Sequence, residues 1–345
     1  MPKPNGSSNL SYDKFLTSLM MGFRNEDASY GHLSVPSILH DDESGLYPVL
    51  KNSDLLRIAA GERPRGTQAP MSGFGVEQGS FACVPYGYKQ PIDKDDAHKA
   101  KDPLDLDMAA LQHVSDQLQM LNESKFATAA FTTSTWGTTD QTGVASGATA
   151  NQFNRWNTSG ATPKKDVRAR ASEILRLTGK KPNVLFVPDD VDAALVVCPD
   201  VVDQIKYTNP NAIDMGRVTD PVEMAKYFGV KQYVVCGATR NTALENAAAV
   251  YAFFASNKAL LCYLDMPGEA QPALSLANAR FRPTALAAIR YDLPDGEEGK
   301  RVTRYYDHPI KSNVVEGDES FVYHRPTIEG AGANPLGQLF TAVLS

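Results

Sequence analysis

The first sustained hydrophobic period in this chain does not begin until residue 102. Asp102-Pro103 supplies an N-cap and a proline at the first helical position, and Leu104, Met108, Leu111, Val114, Leu118 and Leu121 follow at three- and four-residue steps. The spacing predicts a helix to about Phe126, a rod of roughly 35 Å. Everything before it must fold against, or reach away from, an element made later in the chain.

Residues 1–60 show no sustained period apart from Tyr12 to Met21, where Phe15, Leu16, Leu19 and Met20 would form one face of a short helix. Tyr47-Pro48-Val49-Leu50, Leu55 and Leu56 read as apolar anchors on an extended arm. From Gly61 to Lys101 there are four prolines and six glycines in 41 residues, too long a stretch without pattern for an ordinary connection. Phe74, Val76, Phe81 and Val84, around Gly79-Ser80, predict a long hairpin that projects from the body.

After the helix, residues 132–160 are rich in Thr, Ser, Gly and Asn and read as a loop pinned by Trp136 and Trp156. Thr162-Pro163 opens a second helix, with Val167, Ala171, Ile174, Leu175 and Leu177 inward and Gly179 as its stop. A strand at Val184 to Val187 follows, then short helices from Asp190 and Pro199, a helix from Asp220-Pro221 to Tyr227 ended by Gly229, and a strand from Lys231 to Cys236. Strands alternating with short helices predict a small mixed α/β domain. From Val250 the text turns to β: Val250 to Phe254, Ala259 to Leu264, and Ala285 to Tyr291, which is expected to pair with Val302 to Tyr306 across Pro294-Asp295-Gly296. Phe321-Val322-Tyr323 reads as the final strand.

No chemical motif competes with this reading. Gly73-Phe-Gly75-Val-Glu-Gln-Gly79 has its last glycine one residue late for a dinucleotide fingerprint and opens no helix. Walker, HExxH and G-x-S-x-G patterns are absent from the sequence, and the six histidines form no pair at metal-ligand spacing. Asp292 to Glu298 lacks the alternating ligands of a calcium loop. Cys83, Cys198, Cys236 and Cys262 are far apart in apolar contexts and read as buried free thiols. No catalytic, cofactor or metal residues are therefore nominated. Apolar runs fall short of a membrane span, and the first residues carry no signal-peptide core. The net charge is −6, and residues 1–60 carry five Lys or Arg against seven Asp or Glu, so the arm is not a basic nucleic-acid tail.

The order of parts is more informative than any residue. Thr178-Gly179-Lys-Lys-Pro182-Asn183-Val-Leu-Phe-Val, then Leu195 to Pro199, then Phe228-Gly229-Val230 before a strand, resembles the central domain of the major capsid proteins of tailed bacteriophages, the Hong Kong 97 fold. The resemblance extends over nearly the whole chain and implies an α+β fold. Its parts would be an N-terminal arm (1–60), an extended β-hairpin loop (61–101), the spine helix and start of the peripheral domain (102–160), a mixed α/β axial domain (161–265), and a β-rich return to the peripheral domain (266–345).

The resemblance also implies a role: self-assembly through pentamers and hexamers into an icosahedral virion shell, built in the host bacterial cytoplasm around DNA that is enclosed without sequence-specific binding. A separate scaffolding protein and a portal would be partners. Arg65, Phe74, Val76, Phe81, Tyr86 and Lys89 are the candidate assembly contacts, the apolar members as anchors and Arg65 and Lys89 as rim charges. Some family members cross-link neighbours through a lysine of the loop and an asparagine of the peripheral domain; Lys89 and Asn313, with Glu316 nearby, are the positional counterparts. An encapsulin-like nanocompartment shares the fold, and an α/β enzyme or an oligomeric binding module are readings of another class. Electron microscopy of particles and their contents separates them.

Overall fold

The computed structural model describes residues 25, 29–73, 75–93, 106–208, 213–214, 217–218, 220–244, 246–266, 283–293, 299–326 and 334–345. The helix expected at 12–21, Phe74, the Asp102-Pro103 cap with Leu104, and the Pro294-Asp295-Gly296 turn lie outside them. In chain order the first half contains β1 (Ser37–His40), β2 (Ser44–Leu50), a single turn α1 (Asn52–Leu55), β3 (Val76–Ala82), β4 (Val84–Asp93), the spine α2 (Leu106–Phe131), β5 (Gln141–Val144) and β6 (Gln152–Asn154). The middle holds α3 (Pro163–Thr178), β7 (Val184–Pro188), α4 (Asp189–Leu195), α5 (Pro199–Thr208), the short pair β8 (Ile213–Asp214) and β9 (Arg217–Val218), α6 (Pro221–Phe228) and β10 (Gln232–Cys236). The chain ends in β11 (Thr239–Asn241), β12 (Tyr251–Phe253), β13 (Lys258–Cys262), β14 (Ala287–Tyr291), β15 (Lys300–Asp307), β16 (Ser312–His324) and β17 (Gly337–Thr341).

One sheet has the order β10-β7-β13-β17-β5-β6. Alternate side chains of its strands enter two different cores. Val184, Phe186, Leu260, Cys262 and Leu339 face the spine helix, whereas Leu185, Val187, Ala259, Leu261 and Phe340 face the core shared with α3 to α6. A strand covered on both faces reads as an unbroken apolar run, which is why Val184 to Val187 has no polar residue. The helices on the outer face are delimited by local chemistry. Pro163 begins α3, and Gly179, at φ 71°, ends it; Asp220 accepts the Val222 N–H before Pro221, and Gly229, at φ 73°, ends α6.

The second sheet is built around β16. Residues Ser312 to Glu319 pair with β15 on one edge and with β4 on the other, and Phe321 pairs with both Arg290 of β14 and Val84 of β4. β14 and β15 therefore share one edge of β16, end to end, and β1 pairs parallel with β14. The pairing expected between Ala285–Tyr291 and Val302–Tyr306 does not occur: the two strands follow one another along the same partner. The hairpin turn lies instead between β15 and β16, where Lys311 adopts φ 51°.

The spine helix packs over this second sheet, and Gly317 permits the contact. A Cβ there would stand 2.7 Å from Val114 Cγ1 and 3.0 Å from Leu118 Cδ1. The buried stripe runs Ala110, Val114, Leu118, Asn122, Glu123, Phe126, Ala127, Ala130 and Phe131, so the helix continues five residues past the expected end. Met108 and Leu111, expected inward, are exposed. The apolar count overrated the first turns and missed the last two, where small and polar residues are buried.

The sheets do not follow the boundaries expected from sequence. β5 and β6, expected to open the peripheral domain as a loop, lie with the C-terminal β17 in the β7–β10 sheet, and no strand had been expected after Phe321-Val322-Tyr323. Both tryptophans of the 132–160 stretch are buried as expected. β4 belongs to the β16 sheet and not to a free loop.

Candidate assembly surface

The projecting element is a hairpin whose strands are β2 and β3, not one that turns at Gly79-Ser80. Its ladder runs from Ser44 opposite Ala82 to Leu50 opposite Val76, so Gly79 sits mid-strand opposite Tyr47. Tyr47, Val49, Phe81 and Cys83 pack with Ile289 of β14, and the Tyr47 hydroxyl lies 2.6 Å from His324 Nε2 at the end of β16. This fixes the root of the hairpin to the subunit. Burial lowers the His324 pKa to about 4, with the neighbouring Arg325 charge acting in the same direction, so the ring that pairs with the tyrosine hydroxyl is neutral.

Beyond the root the chain opens out. Residues 57–73 contain no helix or strand and are exposed throughout, with Ile58 92% and Met71 91% exposed. Leu46, Leu55 and Leu56 add further exposed apolar surface at the hairpin. Apolar side chains gathered on one exposed segment make it a candidate surface for another molecule.

The sequence-nominated contacts divide. Arg65 is exposed within 57–73, and Val76, at the mouth of β3, is 56% exposed. Phe74 lies outside the described residues. Phe81 is only 5% exposed and is committed to its own subunit's core, because alternation on β3 turns it toward Tyr47 and Ile289. Tyr86 is half-buried against Phe321, with ring centroids 4.9 Å apart, and Lys125 lies over its ring. Lys89 is exposed on β4 opposite Glu316, and Asn313 of the same subunit pairs with Ile92 on that same strand. Neither Ile58 nor Met71 belongs to a period, so the sequence gives no signal that marks them as contacts.

The chemistry of the rest of the chain is quiet. All four cysteines are buried, and burial pushes their thiols up, Cys83 to about 11. Among the described residues no three His, Cys, Asp or Glu converge as metal ligands, and no helix is long and apolar enough to cross a membrane. A shallow groove between α3 and the end of α6 is lined by Ala171, Leu175, Phe228 and Val230, with Arg168 and Lys181 at its rim.

No protein family and no curated protein matches the chain by sequence. Solved structures do match its fold. A phage-related protein from Bordetella bronchiseptica RB50 is 16% identical and superposes with a TM-score of 0.63, covering 92% of this chain and 94% of that one. The mature capsid of bacteriophage PhiM1 gives 13% identity and a TM-score of 0.55 over 93% and 88%. The capsid of cyanophage P-SCSP1u gives 10% and 0.56 over 96% and 93%. With its spine helix, its hairpin and its two larger sheets, the chain has the α+β fold of the tailed-phage major capsid proteins, the Hong Kong 97 type.

Proposed function

We propose that this chain is a major capsid protein, whose copies assemble through pentamers and hexamers into an icosahedral phage shell. The observation that carries the reading is the 57–73 segment: apolar residues stand in water at the end of a hairpin whose root is firmly packed. A subunit that folds alone has no use for such an element, and a subunit that meets several neighbours does. Weak contacts of this kind, repeated around closed symmetry, add up to a stable container. The fold likeness over more than nine-tenths of the chain supports the same role.

The role is structural and not catalytic. The finer parts of the reading are a separate scaffolding protein, a portal, assembly in the host bacterial cytoplasm, and DNA confined without sequence-specific grip, for which a net charge of −6 is suited. The test is expression of the chain followed by electron microscopy and sedimentation of the purified protein, with and without a crowding polymer. Uniform closed shells are expected. Protein that stays monomeric under every condition would end the proposal.

A further inference from the structure

The exposed 57–73 loop is closed at a neck, and the neck is fastened to the α/β body. The Lys51 N–H donates to Gly75 O at 3.1 Å, and the Gly75 N–H donates to Asp54 Oδ2 at 2.9 Å. Lys51 Nζ reaches Glu77 at 2.9 Å. A Cβ on residue 75 would stand 2.9 Å from Lys51 Cδ, so a larger residue there would displace the Lys51 side chain. From the neck, Asn52 Nδ2 donates to Leu177 O at 2.8 Å, across 125 residues of sequence.

That carbonyl lies in the last turn of α3, where a helix cannot satisfy all its own acceptors. The Gly179 N–H goes to Leu175 O and the Thr178 hydroxyl to Ile174 O. Leu177 O is taken by the neck. Beside it, Leu56 Cδ2 lies 3.8 Å from where a Cβ of residue 179 would stand. Among the described residues, the hydrogen bonds of 57–73 run within the segment, as from Thr67 to Pro64 O, or back to the neck at Asp54.

We infer that Asn52 is a positioning residue for assembly: its bond to the end of α3 aims the 57–73 loop at a neighbouring copy. A two-stranded hairpin is marginal by itself, and a loop of this length without a second anchor would sweep a wide volume. Holding it in one direction before contact lowers the ordering cost of association. The inference rests on the shell-subunit reading, and folding of the subunit does not depend on it, since the cores contain neither the neck nor the loop.

The test uses the full chain with spin labels at Ile58→Cys and Arg168→Cys, both exposed, because the four native thiols are buried and slow to react. Pulsed electron paramagnetic resonance should give one narrow distance with Asn52 present and a broad distribution in Asn52→Leu, while both proteins melt alike. Unlabelled Asn52→Leu should form few or malformed shells where the parent closes uniform ones, and Asn52→Gln, which keeps the amide donor, should recover them. A narrow distance in Asn52→Leu overturns the inference, as do normal shells from it. A parent that never forms shells defeats the capsid reading instead, and the distance measurement then still decides whether Asn52 aims the loop.

Discussion

Glu123, on the buried side of the spine helix, receives His32. Its Oε2 lies 2.8 Å from His32 Nδ1 and accepts the His32 backbone N–H at 3.0 Å, while Oε1 accepts the Gly31 N–H at 3.2 Å. Both residues are buried. A carboxyl group inside a core is tolerated only when its oxygens are satisfied, and here three donors from one short 3₁₀ turn, Gly31–Ser34, satisfy them. The same helix turn engages the β16 sheet through Asn122, whose amide donates to the buried Glu319 at 2.7 Å beside Arg290 and Lys300.

Removing the Glu123 carboxyl strands these donors in the core. Glu123→Ala should cost about 3 kcal/mol or more, while Glu123→Gln should cost less because its carbonyl oxygen still accepts. Urea unfolding of the two variants beside the parent measures this. An alanine variant as stable as the parent would show that the pair contributes nothing.

One helical turn further on, Phe126 joins the two sheets. Its ring lies 5.2 Å from Phe186 of β7 and 6.0 Å from Tyr323 of β16, and it has no exposed surface. Phe126→Ala opens a cavity between both sheets, with an expected loss of about 3–5 kcal/mol. Exposed Met108→Ala, on the first turns of the same helix, should stay within about 0.5 kcal/mol. Equal losses at the two positions would mean that the buried stripe has been misplaced.

What could be read from sequence was what local chemistry decides. Pro163 with Gly179, and Asp220-Pro221 with Gly229, delimit α3 and α6 within a residue or two, because caps act on their own helix. Pairing partners are not local. Nothing in residues 84–93 points to 312–321, and nothing around Tyr47 indicates that its strand partner lies at Gly79. The second half of the spine stayed hidden for the same reason. Asn122, Glu123, Ala127 and Ala130 look like surface until Gly31, His32 and Glu319 arrive from far away to cover them. Of the residues nominated as assembly contacts Phe81 faces inward, and nothing in the sequence around Asn52 indicates that it reaches α3.

Acid should loosen the hairpin root. His324 is held near pKa 4 in the folded chain against an ordinary value of 6.5, so the unfolded chain binds the proton more readily between those values. Its contribution is complete above about pH 6.5 and is lost as pH falls toward 4, by at most about 3 kcal/mol. Asp166 acts in the opposite sense. Burial raises it from 3.8 to about 6, so its contribution is present at low pH and disappears as pH rises through that range. His324→Gln, which keeps an acceptor for Tyr47 without titrating, should flatten the acid-side fall in melting temperature between pH 6.5 and 4. An unchanged slope in that variant would assign the fall to other groups.

The strongest separation of folding from assembly comes from two excisions that overlap in sequence. Replacing 66–89 would remove all of β3, with Phe81, and more than half of β4, whose ladder against β16 runs from Val84 opposite Phe321 to Asp93 opposite Ser312. With these strands in the sheet, the body should unfold. Replacing only 57–73 by a short Gly/Ser linker leaves the neck at Lys51, Asn52, Asp54 and Gly75 intact and takes nothing from any core. That protein should give the parent's circular dichroism and melting curve but sediment as single subunits or small oligomers, because the exposed surface around Ile58 and Met71 is what would meet the neighbour. Full-size shells from the 57–73 replacement would show that the loop is not an assembly element, and a loss of its melting transition would show that the loop supports the fold. A folded protein after the 66–89 replacement would contradict the β4–β16 ladder itself.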